Sequence, residues 1–263
     1  MELGLRGKVA IITGGSEGIG KAAALSLAAE GARVVICARR IDVLEQAAEA
    51  IRQATGGEVL AIPTDVTQAD QVKSLFAKTI EAFGRVDILV NNAGTSAAHP
   101  FEEATAEIWQ IDLNLKLFGA IHCCREALPH MRAQGGGRII NITTPGGKAP
   151  GAGSVPTSVS RAAGIALTKV LSKEYAAHNI LVNTICIGLI KSGQHERRWK
   201  AANADQPDLT LEAWYDRMGE GVPLRRVGEA GEAGDLIAFL ASERASYITG
   251  TAINIDGGRS SVT

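Results

Sequence analysis

With 263 residues, 46% apolar and 21% charged, the chain is long enough for one large α/β domain with a sizeable core. Its net charge of −1 argues against the basic stripe that nucleic-acid binding needs. The four cysteines, at 37, 123, 124 and 186, form no Cys-x-x-Cys pair, and the histidines show no metal spacing. Buried, reduced thiols are therefore expected, rather than a disulfide frame or a metal site.

Short apolar runs alternate with amphipathic stretches along the chain. The runs are Val9–Thr13, Val34–Cys37, Val59–Ile62, Ile88–Val90, Ile139–Thr143, Leu181–Cys186 and Ala252–Ile255. They are nearly continuous in Val, Ile and Leu, the pattern of strands covered on both faces. Between them, Gly18–Glu30, Asp42–Ala54, Ala69–Phe83, Ala104–Arg132, Ser158–His178 and Ala230–Ala241 read as helices. This alternation predicts an α/β fold: a Rossmann-type, doubly wound, seven-stranded parallel sheet with helices on both faces, in a single domain over 1–263. Residues 190–228 hold Trp199, Trp214 and Tyr215 but no strand, and a connection of this length predicts a lid or substrate loop. A pair of surface helices at a subunit contact is the alternative. No apolar run reaches ~18 residues and no leader is evident, so a cytoplasmic protein without a membrane segment is expected.

After the first strand comes Thr13-Gly14-Gly15-Ser16-Glu17-Gly18-Ile19-Gly20. Glycines there let backbone approach a ligand, and the free N–H groups of the next helix favour a pyrophosphate. The spacing Thr-Gly-x-x-x-Gly-x-Gly resembles the short-chain dehydrogenase/reductase family, in particular its 3-oxoacyl-acyl-carrier-protein reductases. Asp65-Val66, Asn91-Asn92-Ala93-Gly94, Val182-Asn183, Ile187-Gly188 with Ser192, and Asp256-Gly257-Gly258 fit the same pattern, over roughly residues 5–258. The resemblance implies a nicotinamide dinucleotide held by Gly14, Ser16, Glu17, Gly18, Ile19, Gly20, Asp65, Val66, Asn92, Ala93, Gly94, Arg161, Gly188, Ile190 and Ser192. It also implies a homodimer or homotetramer acting on a small-molecule substrate.

The choice of nucleotide rests on the end of the second strand. NAD-binding relatives place an acid there for the ribose 2′-hydroxyl. Here Ala38 is followed by Arg39 and Arg40, and guanidinium suits a 2′-phosphate, so NADP is expected over NAD. Glu17 opposes this, since its charge repels the same phosphate.

The family pairs a tyrosine with a lysine four residues on, assisted by a serine and an asparagine. In Pro156-Thr157-Ser158-Val159-Ser160-Arg161-Ala162-Ala163, the register puts Thr157 on the tyrosine and Arg161 on the lysine. Thr144 takes the serine position, with Thr143 as fallback, and Asn114 the asparagine position. An aliphatic hydroxyl cannot be tuned as a phenol can, and arginine holds its proton. Losing a positioned acid or base typically removes about 10²–10⁴-fold in rate. Tyr215 and His195 in the 190–228 segment are the available substitutes. Three functions stay open: an oxidoreductase of carbonyls, alcohols or enones with a non-standard proton donor; a nucleotide-binding or regulatory protein without turnover; and non-redox hydration or hydrolysis in the same pocket.

Overall fold

The computed structural model describes residues 2–203 and 208–263. Uninterrupted apolar runs become strands with no solvent face: every residue of β1 (Val9–Thr13) is buried. The next strands are β2 (Arg33–Ala38), β3 (Val59–Pro63), β4 (Ile88–Asn91) and a short β5 (Ala98–His99). Then come β6 (Gly137–Thr143), a short β7 (Val155–Pro156), β8 (Ile180–Ile187) and β9 (Ala252–Ile255). Seven of them form one parallel sheet in the order β3-β2-β1-β4-β6-β8-β9. The sequence-derived strands all recur, with ends shifted by two residues at most.

Successive strand residues face opposite sides, so each continuous run feeds two cores. Ala10, Ile12, Val34 and Ile36 pack with α1 (Gly18–Ala29), α2 (Ile41–Thr55) and α9 (Ala230–Ala241). Ile11, Val35, Cys37 and Leu89 pack with α3 (Ala69–Phe83), α5 (Gly119–Ala133) and α6 (Thr157–Tyr175). Burying each such Leu or Ile contributes ~1.5–3 kcal/mol. All four cysteines are unpaired and buried. Burial in apolar surroundings pushes the Cys37 and Cys124 thiols up to about 12, so they are poor nucleophiles.

Two features depart from the sequence reading, and both bear on the site. The helix expected over Ala104–Arg132 is interrupted. α4 (Ala106–Leu113), capped by the Thr105 hydroxyl, runs into a π-helical turn at Asn114–Phe118 before α5 begins. In addition, β5 and β7 pair as a small antiparallel ribbon, Ala98 opposite Pro156 and His99 opposite Val155. This ribbon ties the chain after β4 to the start of α6.

The 190–228 segment contains α7 (Gly193–Asn203) and α8 (Leu211–Gly219); its residues 204–207 lie outside the described ones. A bridge between Ile190 and Gly228 closes its base, and Trp199 Nε1 donates to the Leu209 carbonyl at 2.7 Å. Among the described residues, no helix is long and apolar enough to cross a membrane.

Candidate active site

A cleft of about 720 Å³ opens at the carboxyl ends of the strands, where the sheet order turns back between β1 and β4. Gly14, Ser16, Glu17, Gly18 and Ile19 line it. No side chain caps α1, which leaves its first-turn N–H groups facing this loop. Gly20 lies behind the loop rather than in the cleft. A Cβ there would stand 2.2 Å from the Gly14 carbonyl oxygen, so only glycine permits the turn. The loop is braced from β4: the Thr13 hydroxyl accepts from the Asn92 and Ala93 N–H groups, each at 3.0 Å. The Asn92 amide donates to the Thr13 and Gly14 carbonyls at 3.0 and 3.1 Å. Asn92 is thus a strut whose side chain is already engaged.

Arg39, Arg40, Asp65, Val66, Ala93 and Gly94 continue the wall. The repulsion expected from Glu17 is relieved, because Arg40 meets its carboxylate at 2.7 Å and Arg197 of α7 approaches to 3.6 Å. Arg39 is exposed and has no ion-pair partner among the described residues. Three guanidiniums against the carboxylates of Glu17 and Asp65 leave this corner net cationic. The uncapped helix start, the glycine loop and this corner together fit a dinucleotide that carries an extra phosphate. Gly188, Ile190 and Ser192 lie across the cleft, and Gly193, Gln194, His195 and Arg197 of α7 cover it.

At the far end stand Thr144 and Thr157. Thr143 also borders the cleft, but its hydroxyl shares a hydrogen bond with Cys186 Sγ at 3.2 Å, which leaves Thr144 as the available one. Arg161 packs half-buried against the Asn92–Gly94 turn. Its Nη1 donates to the Ile142 carbonyl at 2.7 Å, and a Cβ on residue 94 would lie 2.9 Å from Nη2. Glycine at 94 makes room for a guanidinium. Burial lowers the Arg161 pKa to about 10, so the group is charged at neutral pH.

Asn114 does not belong to this constellation. Its amide oxygen accepts from Gln110 Nε2 at 2.7 Å on the outer side of the helix, away from the cleft. The π turn changes the helical register, and Lys116 faces α6 instead. Lys116 Nζ donates to Thr157 Oγ1 at 2.9 Å and pairs with Asp112 Oδ1 one turn earlier; both charged side chains are almost fully buried. The Ala97 N–H, presented by the β5–β7 ribbon, also donates to Thr157 Oγ1, at 2.9 Å. Burial and the neighbouring Arg161 charge lower the Lys116 pKa to about 8, against the opposing pull of Asp112.

The pattern of the family described as enoyl-(acyl carrier protein) reductase matches residues 14–260. The chain belongs to this short-chain dehydrogenase/reductase family. It is 36% identical to a 3-oxoacyl-[acyl-carrier-protein] reductase of Synechocystis, over 97% of each chain. It is 35% identical to the corresponding reductase of Thermotoga maritima, over 97% of this chain and 98% of that one. Among solved structures, L-sorbose reductase from Gluconobacter frateurii, complexed with NADPH and L-sorbose, matches with a TM-score of 0.95 and 35% identity over both whole chains. Levodione reductase matches with a TM-score of 0.89 and 31% identity, over 98% of this chain and 99% of that one.

Within this short-chain dehydrogenase/reductase fold, sequence reasoning overlooked Lys116. The available signal was a charged pair, Asp112 and Lys116, spaced i,i+4 on a helix packed against the sheet, where a solvated pair is the ordinary reading. The two substitutes expected from the 190–228 segment stand differently in the fold. Tyr215 is buried under Lys191, whose Nζ lies 5.5 Å from the ring centroid, and does not line the cleft. His195 does line it, but burial and Arg198 lower its pKa, so it is mostly neutral at pH 7.

Proposed function

We propose that the protein is an NADPH-dependent reductase of a small, hydroxyl-rich ketone. The observation that carries this reading is one continuous cleft: a dinucleotide cradle with a cationic corner at one end, and Thr144 and Thr157 at the other. A bound reduced nicotinamide nucleotide supplies hydride. Thr144 and Thr157 hold the carbonyl oxygen, and the buried charge of Arg161 favours negative charge developing on it. Ser96, Gln194 and His195 line the same end, and these polar groups suit a polyhydroxylated substrate better than an acyl chain. The likeness to a sorbose reductase supports the same choice.

Residues 190–228 serve as the substrate lid. In support, α7 covers the cleft, with Gln194 Oε1 accepting from the Ser96 N–H at 3.2 Å. Trp199 pins α7 to the chain just before α8. Ile111, Phe118, Val159 and Val170 leave an exposed apolar surface on the neighbouring α4, π-turn and α6 segments, which supports a homodimer or homotetramer built across these helices. Four buried free thiols support a cytoplasmic setting.

The test is loss of NADPH absorbance with a panel of ketoses, short 3-oxoacyl thioesters and enones, beside calorimetric binding of NADPH and NADH. Turnover with ketoses and a preference for NADPH are expected. Replacement of the usual tyrosine and lysine favours a second reading, nucleotide binding without turnover. Tight NADPH binding with no consumption on any substrate selects that reading.

A further inference from the structure

The hydroxyl of Thr157 is constrained on every side. An aliphatic hydroxyl has one proton to give and two lone pairs to share. Both lone pairs are engaged, by Ala97 N–H and by Lys116 Nζ, each at 2.9 Å. Only the O–H remains, beside the cleft where the substrate oxygen would lie. Behind it sits a cation that cannot spread its charge into water. Lys116 is sealed in with Arg161 on one side and Asp112 on the other, two cations for one carboxylate. Loss of the Lys116 proton relieves that imbalance, whereas Arg161 has no comparable route.

We infer that Lys116 is the proton source for the reaction and acts through Thr157, the member of this pair that touches the substrate oxygen. The inference rests on the reductase reading above. As the carbonyl carbon takes a hydride from the reduced nicotinamide nucleotide, the C=O π pair moves onto oxygen. That oxygen takes the Thr157 proton, forming the alcohol O–H. Thr157 Oγ1 takes a proton from Lys116 Nζ, which becomes a neutral amine and recovers its proton back through Thr157 from water that enters the cleft once the alcohol leaves. Thr157 never needs to persist as an alkoxide, because its proton is replaced as it leaves. This removes the objection that a threonine is too weak an acid to stand where a tyrosine is usual.

The pH dependence has a definite sign. Reduction needs Lys116 protonated, so its rate falls as pH rises through about 8, and alcohol oxidation gains over the same range. The charged groups acting on Lys116 are Asp112 on its own helix and Arg161 on α6. The ends of β4 and β6 present Asn91 and Asn141 to the same small cavity, and neither titrates. A donor role for His195 would instead place the limb below 6.5, the pKa from which burial lowers it.

The experiment pairs kinetics with a titration that needs no turnover. In protein carrying ¹³C-labelled lysine, the Lys116 side-chain resonance, assigned with Lys116→Arg, should titrate near pH 8 and move in Thr157→Val. Lys116→Met in an Asp112→Asn background, and Thr157→Val separately, should each lower reduction by about 10²–10⁴-fold and change NADPH affinity by under about threefold. The limb near pH 8 should vanish with Lys116. A Lys116 that stays charged beyond pH 10, or a methionine variant with the parental rate and pH profile, overturns the inference. A wild-type protein that titrates as expected but reduces nothing defeats the reductase reading, and the donor role with it.

Discussion

The two ends of the cleft are built on different principles. The nucleotide end is made largely of backbone: a glycine loop, an uncapped helix start, and struts from Thr13 and Asn92. The far end is made largely of side chains, Lys116 with Asp112 on the π-turn side and Thr157 with Arg161 on α6, joined by one backbone group, the Ala97 N–H after β4. Backbone amides do not depend on which side chains surround them, so the first end keeps the family pattern. The second works as a linked set of side chains: Lys116 from the α4–α5 junction meets the Thr157 hydroxyl, and Arg161 occupies the space that Gly94 leaves open.

The sharpest break in this contrast should come at the buried cluster. Lys116→Met leaves Asp112 buried without its partner and should lower stability by ~3–5 kcal/mol in urea unfolding. Adding Asp112→Asn should recover most of that loss. The double variant should also lose a pH dependence of stability. Burial lowers the Lys116 pKa from 10.5 to about 8, so the unfolded chain binds more protons across that window and stability rises with pH there. A single variant as stable as the parent would mean the side-chain end is not a linked set.

The nucleotide end should fail differently. In Gly20→Ala the new methyl meets the Gly14 carbonyl oxygen, so NADPH affinity should fall about 100-fold by calorimetry, a cost of ~2.7 kcal/mol, within the range of a forced steric rearrangement. An unaltered affinity would refute a grip made by backbone shape. The smallest expected effect is at the cationic corner. Glu17→Gln frees Arg40 and Arg197 and should tighten NADPH by about threefold at low salt, less at high salt, with NADH little changed. Equal tightening of both nucleotides would move the 2′-phosphate away from this corner.

What could be read in advance follows the same division. The glycine loop, the Asn92–Gly94 turn and the arginines after β2 are contiguous motifs, and the cleft brings them together as expected. Thr157 and Arg161 were placed by the register of Ser160, Ala162 and Ala163, and Thr144 by its spacing before Thr157, and they too line the cleft. Asn114 was misplaced because an unbroken helix was assumed. A π turn shifts the facing residue without any local mark such as proline or glycine at its start. Glu17 suggested repulsion because its pairing with Arg197 bridges some 180 positions of chain, a proximity no local pattern carries.

Strand and helix periodicity, and a glycine loop of given spacing, determined by themselves the sheet, its layers and the place of the nucleotide cradle, since these depend on local sterics and on apolar runs that must be covered on both faces. Only the folded chain decided which charges meet. The Lys116–Thr157 contact spans 41 residues, and it arises because a π turn and the β5–β7 ribbon aim three separate segments at one hydroxyl.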